Sequence, residues 1–122
     1  MLQKIEIMLY VNSVEKAAQF WKDAFGAVET DYQTMPDNSI SISLKITNDL
    51  DMRIFDKNFV VKYSPEISVA TPSLMLYTDG INLLHERISR MGVAISPIQD
   101  FDGVLQFNFS DYEENYFAVS EL

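Results

Sequence analysis

The chain has 122 residues, no cysteine, and 18 acidic against nine basic side chains, which give a formal charge of −9. This length fits one domain with a sizeable core, and the lack of cysteine excludes disulfides, thiolate zinc sites and cysteine nucleophiles. The acidic balance argues against a nucleic-acid partner, because phosphate binding needs clustered Lys and Arg; it either attracts a cationic ligand or serves solubility alone. Neither a bilayer-length apolar run nor the apolar centre of a signal peptide is present, so we expect no membrane partner and a cytoplasmic location.

The first predicted strand covers residues 4–11 and is apolar at nearly every position. Because side chains alternate along a strand, its two faces differ in kind. An aliphatic face, suited to lie beneath a helix, carries Ile5, Ile7, Leu9 and Val11, whereas the opposite face carries Glu6, Met8 and Tyr10.

A helix is predicted next, with Asn12 as its N-cap and Gly26 as its C-terminal stop. Glu15 lies three residues after Asn12, which is the spacing of a capping box. Trp21 belongs to the apolar stripe and is predicted to be core. Phe20 falls off that stripe, so we expect it to be exposed at a subunit contact.

Three more strands follow, at residues 27–33, 39–47 and 52–55. The segment 39–47 alternates almost perfectly and is predicted to be half-exposed. The connector 57–72 is too apolar for a flexible linker. We expect it to pack back on the domain, either as a strap over an enclosed space or at a dimer contact.

The second half repeats this order after a second Met-Leu-Tyr tripeptide, at residues 75–77 instead of 8–10. A strand at 73–78 leads to a helix that starts after Asp79 and ends at Gly92, and strands are predicted at 93–96, 104–109 and 116–120. The pattern predicts an α+β fold in a single domain, 1–122. Its two β-α-β-β-β modules span about 1–56 and 73–122.

Two segments carry a family resemblance. Residues 10–29, Tyr-Val-Asn-Ser-Val-Glu-Lys-Ala-Ala-Gln-Phe-Trp-Lys-Asp-Ala-Phe-Gly-Ala-Val-Glu, resemble the first strand and helix of the vicinal oxygen chelate superfamily, which includes glyoxalase I, bleomycin resistance proteins and extradiol dioxygenases. Residues 107–121 resemble its final hairpin, although the turn from Asp111 to Asn115 lacks the usual proline and glycine. The resemblance implies that the modules pair into a curled mixed sheet around a cleft, with the helices on the outer face.

In metal-using members of that family, ligands stand on strands that line the cleft. The corresponding positions here are Glu6, Ser73, Ala118 and a fourth near Arg53 to Phe55. A carboxylate, a hydroxyl and a methyl group would hold a divalent metal too weakly. We therefore predict no metal and no cofactor.

The predicted cleft lining is apolar and aromatic with few charges, which suits a flat or amphipathic ligand. Its residues are Glu6, Met8, Tyr10, Arg53, Phe55, Ser73, Met75, Tyr77, Tyr116 and Ala118. The alternative is that these side chains fill a closed interior. Glu6 is the candidate proton acceptor or cation partner if it is enclosed; otherwise it forms a salt bridge with Arg53 or ends an exposed strand.

Two further groups are given structural roles. His85, the single histidine, lies on the second predicted helix, and we expect a boundary residue with a satisfied ring instead of a metal ligand or a relay. The acidic turn at Asp111, Glu113 and Glu114 lacks the calcium-loop spacing and is expected to be solvated.

Two functions remain open from the sequence. The first is a metal-independent small-molecule-binding protein of the bleomycin resistance type, a homodimer that sequesters an aromatic or cationic compound. The second is an isomerase, lyase or transferase of the same superfamily with a non-standard or absent metal site, in which Glu6 acts as the base.

Overall fold

Each half of the chain forms a four-stranded mixed sheet in the computed structural model, which describes residues 1–122. The chain divides into two units, residues 1–72 and residues 73–122. The first contains β1 (Glu6–Val11), α1 (Val14–Phe25), β2 (Val28–Thr34), β3 (Ile40–Thr47), β4 (Leu50–Asp56) and α2 (Lys57–Tyr63). The second contains β5 (Met75–Thr78), α3 (Ile81–Ser89), β6 (Gln99–Phe101), β7 (Val104–Ser110) and β8 (Tyr116–Glu121).

The two sheets share one topology. Their strand orders are β1-β4-β3-β2 and β5-β8-β7-β6. In each sheet the first strand pairs in parallel with the last strand of its unit, and the remaining pairs are antiparallel. The predicted α+β class and the repeated strand order are therefore confirmed.

Helix α1 buries a wider surface than its stripe predicted. Its N-cap is Ser13 instead of Asn12, and Gly26 ends it at a left-handed φ of 69°. Trp21 is fully buried, as predicted, but Phe20 is also fully buried, so its predicted exposure at a subunit contact is wrong. At 100° per residue, the buried residues including Phe20 span an arc of roughly 160° around the helix axis. The predicted apolar stripe was narrower than this arc and therefore left Phe20 out.

The connector contains a short helix, α2, which the sequence did not predict. Asp56 caps it, because its carboxylate accepts hydrogen bonds from the backbone N–H groups of Asn58 at 2.8 Å and Phe59 at 3.3 Å. The helix packs on β4 and β1, and Val60 is buried. The expectation that the connector packs back on the protein is thus met within the first unit.

The second unit differs from its prediction in one strand. Residues 93–96 form only an isolated bridge, Ile95 to Phe109, and the fourth strand of the sheet is β6. The backbone N–H of Ser96 still donates to Asn108 at 2.8 Å. The first half of β7 pairs with β6, and its second half lies beside the irregular segment 94–96. The apolar pattern of residues 93–96 therefore did not show that β6, and not this segment, forms the regular edge strand.

In the turn before β8, the prediction of a solvated acidic cluster is wrong for Asp111, which is only 2% exposed, whereas Glu113 is half-buried and Glu114 is exposed. The Asp111 carboxylate accepts hydrogen bonds from the backbone N–H groups of Glu113 and Asn115, both at 2.9 Å, and from the Asn115 side-chain amide at 2.8 Å. Three donors thus compensate the burial of this charge. Glu114 lies at the left-handed φ of 63°.

None of the three helices combines the length and the apolar character required to cross a membrane.

Candidate functional site

The first sheet has one face under α1 and a second face, called here its distal face, that points away from α1. Tyr32 marks the α1 side, since its hydroxyl donates to Glu15 on that helix at 3.1 Å. The bond raises the pKa of the Tyr32 hydroxyl. Strand register arranges the distal face in three rows, which are Glu6, Asp51 and Lys45; Met8, Arg53, Ser43 and Asp31; and Tyr10, Phe55, Ser41 and Gln33.

An ion network formed by Glu6, Arg53 and Asp31 lies at the centre of these rows. Arg53 Nε is 3.4 Å from Glu6 Oε2, and Arg53 Nη2 is 3.1 Å from Asp31 Oδ2. The Arg53 side chain is only 16% exposed, against 26% for Glu6 and 41% for Asp31. The ion pair between Glu6 and Arg53 is thus the arrangement that the sequence left as an alternative to an enclosed proton acceptor.

Two serines of β3 form hydrogen bonds with the side chains of this network. Arg53 Nη1 donates to Ser41 Oγ at 3.2 Å, and Ser43 Oγ donates to Glu6 Oε2 at 3.0 Å. Both serines are buried, so the prediction of a half-exposed third strand is wrong over this stretch. The reason is that the longer Glu6 and Arg53 side chains cover the short hydroxyl groups.

A second ion cluster lies beside the network, at the start of β4. Asp51 is 3.0 Å from Lys4 and 3.9 Å from Lys45. The hydrogen bond to Asp51, followed by the negative field of Glu6, raises the pKa of the Lys4 ammonium. Both lysines are exposed, so this cluster is less enclosed than the network around Arg53.

A chain of aromatic rings runs from the other side of the network onto α2. Ring centroids are 6.4 Å apart for Tyr10 and Phe55, 6.3 Å for Phe55 and Phe59, and 4.9 Å for Phe59 and Tyr63. The Phe55 and Phe59 rings are nearly parallel, at 9°. The distal face of the first sheet thus carries charges at one end and stacked rings at the other.

The second sheet also has a face that points away from its helix, α3. In this distal face, register places Met75 beside Ala118 and Tyr77 beside Ser120. A pocket of about 290 Å³ opens there, and its lining includes Ser73, Tyr116 and Ala118. Ala118 lies opposite Met75 as Arg53 lies opposite Met8, so the second sheet has a methyl group where the first has a guanidinium.

Most of the methionines and tyrosines in the predicted lining have accessible side chains. Met8 and Met75 are each 42% exposed, Tyr77 is 65% exposed and Tyr116 is 57% exposed. Tyr10 is the buried exception among the predicted methionines and tyrosines of the two sheets, at 9%. These side chains therefore offer accessible apolar surface on the separate sheets.

The predicted residues fall into two groups. The first sheet brings together Glu6, Met8, Tyr10, Arg53 and Phe55, and the second groups Ser73, Met75, Tyr77, Tyr116 and Ala118.

The residues at the family's metal positions do not fit a divalent ion. Glu6 already contacts the cationic Arg53, while Ser73 and Ala118 supply a neutral hydroxyl and a methyl group. No group of three or more His, Asp or Glu side chains is arranged to hold a metal.

His85 has the structural role that the sequence suggested. Its Nε2 is 2.8 Å from the carbonyl oxygen of Ser96, and its ring meets Phe107 edge-on at 4.9 Å. The ring therefore ties α3 to the segment before β6 and to β7.

The sequence missed two contributors to the first site, Asp31 and Phe59. Strict alternation from Val28 would place the Asp31 side chain on the α1 side. A bulge between Glu29 and Asp31 places it on the distal face instead, and no residue type in this segment signals the bulge. Phe59 had a usable signal, since it follows Asp56 at the spacing of an N-cap and the third helical residue.

The model of one protein family matches residues 5–119 of the chain, and its description is glyoxalase/bleomycin resistance protein/dioxygenase superfamily. A search of curated proteins gives no significant match.

Solved structures with the same fold include TnmS3, TioX and FosX. TnmS3, an antibiotic-binding protein from Streptomyces sp. CB03234, is 19% identical with a TM-score of 0.77, over 99% of this chain and 96% of that one. TioX from Micromonospora sp. ML1 is 16% identical with a TM-score of 0.79, over 98% of both chains. The fosfomycin resistance protein FosX from Listeria monocytogenes, in complex with Mn(II) and sulfate, is 18% identical with a TM-score of 0.72, over 100% of this chain and 94% of that one.

Proposed function

The chain belongs to the glyoxalase/bleomycin resistance protein/dioxygenase superfamily, and on that premise we propose that it is a metal-independent small-molecule-binding protein that sequesters a flat aromatic compound carrying a positive charge. The observation that carries the proposal is the distal face of the first sheet, where stacked rings adjoin an ion network with more carboxylates than cations. The antibiotic-binding description of TnmS3 supports the same role.

The aromatic end of that face suits a planar ligand. Offset stacking on Phe55 would bury apolar ring surface, which is the main favourable term for such ligands. Methionine is adaptable in shape, so Met8 would adjust to different ring outlines. On the second sheet, Met75 and Tyr77 offer the same pair of residue types.

The network of Glu6, Arg53 and Asp31 favours a cation over an anion. Two carboxylates share the single guanidinium of Arg53, so these three side chains carry a formal charge of −1. The adjoining cluster of Asp51, Lys4 and Lys45 carries +1, and its positive charge lies on the two exposed lysines. The whole chain carries −9, which adds a long-range attraction for cations. An anionic ligand would meet Glu6 and Asp31 before it reached the partly covered Arg53.

The catalytic alternative requires Glu6 to act as a base. Ser43 and Arg53 both contact Glu6 Oε2, at 3.0 Å and 3.4 Å. This arrangement is typical of a structural ion pair and supports binding over proton transfer. Glu6 is therefore proposed as the partner of the ligand's cation.

The test uses N-methylacridinium, a flat permanent cation, with fluorescence titration and thermal melting. We expect binding that survives dialysis against a chelator and does not change when Mn²⁺ or Zn²⁺ is restored. Glu6→Gln and Phe55→Ala should each remove most of the thermal shift. Tyr32→Ala is the control, because Tyr32 is an exposed aromatic residue of the same sheet, at 49%, but lies on the α1 side.

A stoichiometric metal retained through dialysis, or binding that requires an added ion, would refute the metal-independent role. Equal responses of parent, Glu6→Gln and Phe55→Ala would show that the distal face of the first sheet is not the site. We also propose a cytoplasmic homodimer. Light scattering that gives a monomer at micromolar concentration would remove the dimer from the proposal.

A further inference from the structure

We propose that Asp31 is a positioning residue that makes the first site selective for cations, by holding Arg53 away from full pairing with Glu6. The inference rests on the proposed function and assigns a role to a residue outside the sequence-predicted site.

A β-bulge brings Asp31 to the distal face. Glu29 pairs with Leu44 and Asp31 with Ser43, so Thr30 has no partner of its own in the ladder. The Thr30 hydroxyl instead donates to the carbonyl oxygen of Ser43 at 3.3 Å. Without the bulge, Thr30 would lie opposite Ser43 and the Asp31 side chain would point towards α1, because one residue of slippage exchanges the faces of a strand.

The bulge has a specific result for Arg53. Asp31, Ser43 and Arg53 occupy one row on adjacent strands, and the Asp31 carboxylate accepts a hydrogen bond from Arg53 Nη2 at 3.1 Å. The Nε contact with Glu6 is longer, at 3.4 Å. The Asp31 carboxylate is therefore closer to the guanidinium than the Glu6 carboxylate is.

The other contacts of Arg53 fix the plane of its guanidinium. Nη1 donates to Ser41 Oγ at 3.2 Å, so each of the three nitrogens has a different partner. A guanidinium anchored in this way cannot turn its fork towards Glu6 to make two parallel hydrogen bonds, which is the strongest arrangement for an Arg–carboxylate pair.

Charge sharing gives the functional consequence. Since Asp31 and Glu6 both draw on one positive charge, Glu6 keeps negative potential that an arriving cation can use. If Asp31 were neutral, Arg53 and Glu6 would form a balanced pair. The network would then lose its net negative charge, but the aromatic end of the site would be unchanged.

The experiment compares N-methylacridinium with acridine, which is its uncharged counterpart in mildly alkaline buffer, by fluorescence titration of the parent and Asp31→Asn. We expect the Kd for N-methylacridinium to rise about three- to tenfold, as for the loss of one partly screened charge. The Kd for acridine should change less than about twofold, because stacking is retained.

Glu29→Gln is the matched control. It removes the same formal charge from the same strand, but Glu29 lies before the bulge and pairs with Lys22 at 2.9 Å. It should leave the ratio of the two Kd values unchanged. Asp31→Glu, which restores a carboxylate, should recover part of the selectivity for the cation.

The outcomes separate the two proposals. If the parent binds neither probe, the proposed function fails and the role of Asp31 fails with it. If the parent binds both probes and Asp31→Asn weakens both equally, or weakens neither, the selectivity role is overturned while the binding function stands. Thermal melting of each variant checks folding, which the 41% exposure of Asp31 predicts to be little affected.

Discussion

Glu114 is held in a conformation that favours glycine, so its replacement by glycine should stabilise the protein. Its φ is 63°, in the turn from Asp111 to Asn115 where the family pattern has glycine. For an L-residue with a side chain the left-handed region costs about 1–2 kcal/mol. Glycine avoids this cost but loses about 0.5–1 kcal/mol through the greater freedom of the unfolded chain.

The clean comparison is between alanine and glycine at two neighbouring positions. The step from Glu114→Ala to Glu114→Gly should raise the free energy of unfolding by about 1 kcal/mol. An unfolding entropy of about 2.1 cal/mol/K per residue over this chain converts that gain into roughly 4 °C in Tm. The Glu113→Ala to Glu113→Gly step should lower Tm, because Glu113 does not have a positive φ.

Differential scanning calorimetry of the four variants measures both steps. Opposite signs at the two positions are the expected result. If the alanine-to-glycine step lowers Tm at residue 114 as it does at residue 113, the left-handed geometry of this turn stores no strain.

Two further predictions concern carboxylates with hydrogen-bonded roles. Asp111→Ala should lower the free energy of unfolding by about 2–4 kcal/mol, since the buried carboxylate accepts three N–H hydrogen bonds; a urea midpoint equal to that of the parent would contradict this. The hydroxyl and backbone N–H of Ser39 lower the pKa of the Asp37 carboxyl below 3.8, so its charged form favours the folded state above that pH. The Tm deficit of Asp37→Asn should therefore be constant between neutral and mildly acidic pH and shrink as the pH falls below the unfolded value; a deficit that grows in acid would show the opposite linkage.

Much of the fold followed from local patterns. The repeated Met-Leu-Tyr, the helical stripe around Trp21 and the glycine at residue 26 predicted two modules of one design, because strand alternation and helix termination depend on neighbouring residues along the chain. The same alternation placed Met8 and Met75 on the faces that prove to be accessible.

The candidate site was only half determined in this way. Glu6 and Arg53 were identified from the sequence, but their contact with Ser41 and Ser43 depends on the register of three strands. Phe20 was predicted to be exposed at a subunit contact, whereas the structure buries it completely. Burial of this kind depends on what surrounds a helix, which its own periodicity does not state.

The sequence by itself determined the two-module plan, the absence of a thiolate chemistry and the excess of negative charge. The tertiary structure alone decided that Asp31 joins Arg53, because one unpaired residue in β2 exchanges the faces of the strand beyond it. Patterns along the chain report which residues can share a face, but the position of a bulge is fixed by hydrogen bonds to the neighbouring strand. For this protein, that single position sets the charge balance of the proposed site.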